Sequence, residues 1–108
     1  MPEIILRDEK HWRAAMDPLI TAVAREFGIT PQVLLDSNKL PTPRQARLVC
    51  YWLARRLQLR LTDTEIYRAL GRKRVVIQRN VDLIDELRET DEWLKNTTDR
   101  LLAELAAA

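Results

Sequence analysis

A run of cations in the second half of the sequence carries side chains well suited to bind a polyanion. Arg72, Lys73 and Arg74 are consecutive, and Gln78 and Arg79 follow about one helical turn later. Arginine and lysine donate hydrogen bonds to phosphate oxygens and guanine edges, and glutamine pairs with adenine. We therefore predict a surface for double-stranded DNA. In it, Arg72, Lys73, Arg74 and Gln78 reach base edges, and Arg79 reaches a base or a phosphate.

The distribution of charge supports the same prediction, although the net charge of the whole chain is only +2. Residues 39–79 contain eleven basic side chains against only Asp63 and Glu65, a net charge of +9. Residues 1–38 carry a net charge of −2, and residues 82–108 carry −5. A basic middle between acidic ends is typical of polyanion binding, and the alternative is an ordinary solvated face.

Two sequence patterns predict helix starts beside these cations. Residues 42–45 and 62–65 each match a capping box, in which the first side chain caps the helix. The amide groups at such helix starts can bind phosphate. We therefore predict phosphate contacts from five residues: Lys39, Thr42, Arg44, Arg47 and Thr62. The apolar stripe Ala46, Cys50, Leu53 and Leu57 predicts that Arg44, Arg47 and Arg55 project away from the core.

The elements that position these residues are predicted to be helical throughout, because apolar residues recur at helical spacing. The expected helices cover residues 9–16, 17–27, a short stretch after Thr30 and Pro31, 42–57 and 62–70. A long helix starts at Arg72 or Lys73 and buries Ile77, Val81, Ile84 and Leu87. A last helix starts near Thr90 and Asp91, or the long helix continues. Gly28 is expected to cap one helix, and Gly71 to allow a sharp turn.

These elements predict a compact all-α bundle with a helix-turn-helix over residues 62–87 and a long C-terminal helix or helix pair. The expected division is an arm and short helix (1–16), the helix-turn-helix domain (17–90) and a C-terminal helix (91–108). Leu87, Trp93 and Leu94 are expected to pack on the core. The more distal Leu101, Leu102 and Leu105 are expected to contact a second copy or another protein, so that truncation after Thr98 leaves the fold intact.

Catalytic and cofactor chemistry find little support in the sequence. His11 is the only histidine, Cys50 the only cysteine, and only two glycines occur. No zinc-binding spacing and no phosphate-binding glycine loop are present, so we expect no enzyme, no metal, no cofactor and no small-molecule substrate. The N-terminus has no signal-peptide pattern and no apolar run could span a membrane. We expect a cytoplasmic, nucleoid-associated protein.

Several stretches together resemble a known family. They are residues 22–29 (Ala-Val-Ala-Arg-Glu-Phe-Gly-Ile), 43–46 (Pro-Arg-Gln-Ala), 53–57 (Leu-Ala-Arg-Arg-Leu), 62–66 (Thr-Asp-Thr-Glu-Ile) and 69–72 (Ala-Leu-Gly-Arg). In order and spacing, the segment from about Met16 to Leu105 resembles the C-terminal DNA-binding domain, domain IV, of the bacterial replication initiator DnaA. The resemblance implies a helical bundle with a helix-turn-helix and a basic loop before the Pro-Arg-Gln helix.

The departures from the family affect the DNA target. The family's recognition helix carries Asp-His-Thr-Thr-Val after Gly-Gly-Arg, whereas residues 73–77 here read Lys-Arg-Val-Val-Ile after a shorter turn. Thr42 stands where the family usually has an arginine for the minor groove. DNA binding is therefore expected to carry over, but the initiator's own target sequence is not.

The chain contains no nucleotide-binding motif, so the resemblance implies one of the stand-alone relatives, such as those of bacteriophage or gene-transfer agents. The first expectation is a sequence-specific transcription regulator, most simply an activator. A replication-associated accessory factor and a protein-protein interaction adaptor are the alternatives. An adaptor would have no evident use for the cations at residues 72–79.

Overall fold

The computed structural model describes residues 9–36, 40–72 and 79–107, and this part of the chain is helical, without strands. The predicted all-α class is thus confirmed. Six helices follow in order: α1 (Glu9–Phe27), α2 (Pro31–Leu35), α3 (Pro41–Arg56), α4 (Asp63–Ala69), α5 (Arg79–Thr90) and α6 (Glu92–Ala106). None of the described helices combines the length and the apolar character needed to cross a membrane.

Helix α1 is continuous, so the predicted break at Asp17 and Pro18 is wrong. Pro18 lies inside the helix, with an exposed side chain. Its neighbours Met16 and Leu19 are buried on the opposite face. Proline removes one hydrogen bond from a helix interior, but the packing of an uninterrupted apolar face outweighs that loss here. Gly28 ends the helix with a φ of 68°, as predicted.

The predicted caps are correct at two helix starts and wrong at a third. The Thr30 side chain accepts a hydrogen bond from the amide of Val33, and Thr62 and Glu65 form a complete capping box. Helix α3 instead begins after Leu40, which offers no side-chain cap, and Thr42 lies within the first turn. Pro41 is well suited to the first helical position, so the helix starts before Thr42.

Helix α3 is the central element of the core, because every other described helix packs against it. The predicted stripe is correct: Ala46, Cys50 and Leu53 are fully buried, and Leu57 is partly buried. Burial extends beyond this stripe to residues on other faces of the helix, among them Val49, Tyr51, Trp52 and Ala54. A helix surrounded in this way has little surface left for charged side chains.

Helices α5 and α6 are separate. This agrees with the expectation of a last helix starting near Thr90 and Asp91, and not with a continued long helix. The Asp91 side chain accepts a hydrogen bond from the amide of Leu94 at 3.0 Å and so caps α6. Ile84 of α5 is fully buried and Leu87 partly buried. Of the other residues predicted on this buried face, Ile77 and the side chain of Val81 lie outside the described residues.

Helix α6 belongs to the core along its length, which corrects the expectation of a distal partner surface. Leu101 is 0% exposed, and Leu102 and Leu105 pack against the core. Leu94 is also buried, as expected, whereas Trp93 is 50% exposed and contacts Phe27 edge-on, with ring centroids 5.4 Å apart. The helix runs back along α1, so its far end still covers apolar residues of the bundle.

Ion pairs between α1 and α6 reinforce this packing. Arg25 approaches Glu104 to 3.3 Å, and Arg100 donates to Glu26 at 2.8 Å. These side chains are largely exposed apart from Glu26, so the pairs contribute less than the buried leucines do.

Candidate nucleic-acid interface

The end of α2 and the turn after α4 meet in close contact, and we call this contact, formed by residues 34–36 and 71–72 together with Arg47, the junction. Gly71 has a φ of 75°, and a Cβ atom placed on it would lie 2.9 Å from the carbonyl oxygen of Leu35. Glycine is therefore required here for both conformation and space. The junction brings together the starting points of the two connections that carry the candidate DNA-binding residues, 37–39 and 73–78.

Arg72 holds the junction together. Its Nη2 donates a hydrogen bond to the carbonyl oxygen of Asp36 at 2.7 Å, across 36 residues of sequence. Its Nε is buried and has no hydrogen-bond partner among the described residues. Arg72 was predicted to read bases, and this stays a prediction. In the structure its guanidinium group lies in the turn after α4, bonded to the end of α2.

Arg47 is the second arginine of the junction, and it is buried rather than solvent-facing as predicted. It is 8% exposed, and its Nη1 donates to the carbonyl oxygens of Leu34 at 2.9 Å and Asp36 at 3.2 Å. The last carbonyl groups of a helix lack partners within the helix and form the negative end of its dipole. Arg47 satisfies these groups at the end of α2, so its role is to support the junction.

The cations of the junction repel one another. Burial lowers the pKa of Arg47, and the positive charges of Arg72 and Arg44 lower it further. Asp36 is the nearby carboxylate that raises the same pKa. Arg47 thus feels two positive charges and one carboxylate, and a phosphate group bound beside it would reduce the repulsion.

Arg44 is the exposed cation of this group. It lies in the first turn of α3, where the positive end of the helix dipole disfavours a cation. Within the described part of the chain it forms no ion pair. Its placement fits the predicted phosphate contact.

The other predicted contacts have different outcomes. Lys39, Lys73, Arg74 and Gln78 lie outside the described residues, and Arg79 begins α5 with its side chain also outside them. Thr42 is exposed in the first turn of α3. At Thr62 the amide already donates to the Glu65 carboxylate at 2.8 Å, so a phosphate would have to displace an acidic group there.

Some cations of the basic segment are paired with acidic residues distant in sequence. Arg55 approaches Asp63 to 3.3 Å, and Arg56 approaches Asp85 to 3.0 Å. The net charge of +9 for residues 39–79 therefore overstates the positive surface near α4 and α5.

A polar network fixes the second half of α5 against α3 and α6. The Asp85 carboxylate accepts a hydrogen bond from Trp52 Nε1 at 2.8 Å. The Arg88 guanidinium lies 4.7 Å from the centre of the Trp52 ring, donates to Thr98 at 3.0 Å and pairs with Asp99. Sequence reasoning missed this network. The network holds the helix that follows the turn in a defined orientation.

Candidate catalytic groups are poorly placed for chemistry. Cys50 is buried, and its burial raises the pKa of the thiol. Burial also raises the pKa of Tyr51, and its hydrogen bond to Asp63 at 2.8 Å acts in the same direction. His11 is exposed on α1. No three potential metal-binding side chains come together among the described residues.

No protein-family model matches the sequence, and no curated protein shows significant similarity to it. The junction and its charges are therefore the features that bear on the function.

Proposed function

We propose that this chain is a sequence-specific regulator that binds double-stranded DNA through a helix-turn-helix formed by α4 and α5. The observation that carries the proposal is the junction. It holds the end of α2 against the turn after α4 through Arg47 and Arg72, and the charges of Arg44 and Arg72 both act on Arg47. A fold that only needed to bury its core would gain little from this concentration of charge.

The proposed binding mode follows the usual geometry of the motif. The second helix lies in the major groove with its N-terminal residues at base edges, and the first helix crosses the backbone. Lys73, Arg74, Gln78 and Arg79 lie in the sequence between α4 and the first turn of α5 and would contact bases. Lys39 and Arg44 would approach phosphates, while Arg47 and Arg72 would hold the end of α2 against the turn after α4.

The structure also bears on the choice between a DNA-binding protein and an adaptor. In the adaptor hypothesis the acidic C-terminal helix docks on another protein. The leucines of that helix expected to contact a partner, Leu101, Leu102 and Leu105, pack on the core instead. The resemblance to the DNA-binding domain of the replication initiator agrees with a duplex partner, and transcription regulation or a replication-associated role would use the same contacts. The altered residues at 73–77 imply a target different from the initiator's.

Arg44 and Arg74 are predicted to contribute differently to binding. Arg44→Ala should weaken a specific and a random duplex about equally, because a phosphate contact carries no sequence information. Arg74→Ala should cost ~1–3 kcal/mol more on the specific duplex if it reads a guanine. The specific duplex is first selected from a random library, and competition binding against a scrambled duplex then measures both losses.

Lys95→Ala serves as the control, because Lys95 is an exposed cation of α6. It removes the same charge without touching the proposed interface. Equal specific and random losses for both arginine variants would contradict the assignment of Arg74 to base reading.

A further inference from the structure

A second group of cations lies where the first turns of α1 face the end of α4. A shallow depression there is lined by Glu9, Trp12, Arg13, Arg68, Gly71 and Arg72, and we call it the α1–α4 ledge. It shares Gly71 and Arg72 with the junction, so it continues the proposed interface on the side of α1. Neither the charge pattern nor the resemblance assigned a role to Arg13 or Arg68.

The charges of the ledge are unbalanced. Three guanidinium groups line it, and Glu9 is the one carboxylate among the lining residues. Glu9 pairs with Arg13 at 2.6 Å, but both side chains are 60% exposed. An exposed pair of this kind contributes little to stability, so an incoming anion can compete for Arg13.

Arg68 is the exposed cation on the α4 side of the ledge. It lies in the last turn of α4, where the helix dipole favours a positive charge, and it forms no ion pair within the described part of the chain. It precedes Arg72 by four residues, so it stands about one helical turn before the connection that carries Lys73 and Arg74. Trp12 is the buried apolar residue among those that line the ledge.

We propose that the α1–α4 ledge binds the sugar-phosphate backbone of duplex DNA, through Arg13 and Arg68, outside the base pairs that residues 73–79 contact. This inference rests on the proposed function. The first helix of a helix-turn-helix crosses the DNA backbone, and Arg68 is the exposed cation of that helix.

Duplex DNA is favoured over an acidic protein segment as the occupant because the ledge is continuous with the junction. A duplex held at the junction presents a regular series of phosphates to any cation beside it, with one negative charge per ~1.7 Å of helix axis. An acidic protein partner would have to compete with this backbone for the same surface.

The test compares Arg13→Gln, Arg68→Gln and the double variant with wild type on random duplexes of about 10 and about 30 base pairs. Each lost phosphate contact should lower the slope of log K against log salt by about 0.9. We expect slopes lowered by about 0.9 for each single variant and about 1.8 for the double variant on the long duplex. The short duplex offers fewer phosphates beside the junction, so the variants should lower its slope less. Lys95→Gln is the matched control and should leave both slopes unchanged.

A second measurement does not depend on loss of binding. The thiol introduced by Arg68→Cys is labelled with an iron chelate, which cleaves the DNA backbone near it. Cys50 is buried and so protected from labelling. Cleavage is expected at the edge of the footprint on the long duplex.

Two results would overturn the inference alone. These are a double variant with the wild-type slope on the long duplex, and an absence of backbone cleavage from position 68 while wild type still binds. If wild type itself binds neither duplex, the proposed function fails, and the ledge proposal fails with it.

Discussion

Gly71→Ala is expected to destabilise the protein by about 2–5 kcal/mol and to weaken duplex binding at temperatures where the variant is still folded. A left-handed backbone costs a non-glycine residue ~1–2 kcal/mol. At Gly71 the added Cβ also meets the Leu35 carbonyl oxygen at 2.9 Å, and forcing an atom into a packed site typically costs ~1–3 kcal/mol more. Because the collision is with backbone, the two sides of the junction must separate.

Gly28→Ala is the matched control for this prediction. Gly28 has a φ of 68°, close to that of Gly71, but a Cβ atom placed on it meets nothing within 4 Å. The Gly28→Ala variant should therefore lose only ~1–2 kcal/mol of its free energy of unfolding, the cost of the left-handed backbone, and keep its affinity for DNA. Urea unfolding measures both free energies. Equal destabilisation of the two variants, with equal DNA affinity, would contradict the account of the junction.

Truncation after Thr98 should prevent cooperative folding or destabilise the protein by more than about 4 kcal/mol. The deletion removes the fully buried Leu101 and the packed Leu102 and Leu105. A single buried leucine replaced by alanine already costs ~2–5 kcal/mol. The deletion also removes Asp99, Arg100 and Glu104, and with them the ion pairs to α5 and α1.

Truncation after Ala106 is the control, because it removes only the final two alanines. Thermal melting followed by circular dichroism should show a cooperative transition near that of wild type for this control. Leu101→Ala should retain the fold and lower the free energy of unfolding by ~2–5 kcal/mol, which separates a packing role from a general failure to fold. A truncation after Thr98 that melts like wild type would show that the distal leucines lie outside the core.

Local features of the fold could be predicted from the sequence because their causes are local. Thr30 and Thr62 cap helices through bonds to residues three positions ahead. Gly28 and Gly71 were identified by the conformational freedom that their positions require. The apolar stripe of α3 was likewise visible from spacing alone.

Features that depend on distant residues could not be predicted in this way. The burial of Arg47 arises from the carbonyl groups at the end of α2, and the position of Arg72 from Asp36, 36 residues away. The spacing of apolar residues does not show which arginine meets a helix end. Pro18 shows the same limit, because packing along α1 decided an outcome that local propensity opposed.

The candidate site was predicted only in part, for an electrostatic reason. Charge counting located the basic segment, but it could not distinguish Arg44, which is exposed, from Arg56, which pairs with Asp85. It also passed over Arg13, which lies outside the segment in sequence and next to it in space. The sign of the surface was therefore predictable, and the division of its cations between folding and binding was not.

The measurement that tests the central claim most directly is a salt titration of wild-type binding to a labelled random duplex of about 20 base pairs, followed by fluorescence anisotropy. With four or more phosphate contacts from the cations around the junction, log K should fall against log salt with a slope steeper than about −3.5. The affinity should then drop by roughly 100-fold between 50 and 200 mM salt. A flat titration, or no binding at low salt, would contradict duplex DNA as the partner of this protein.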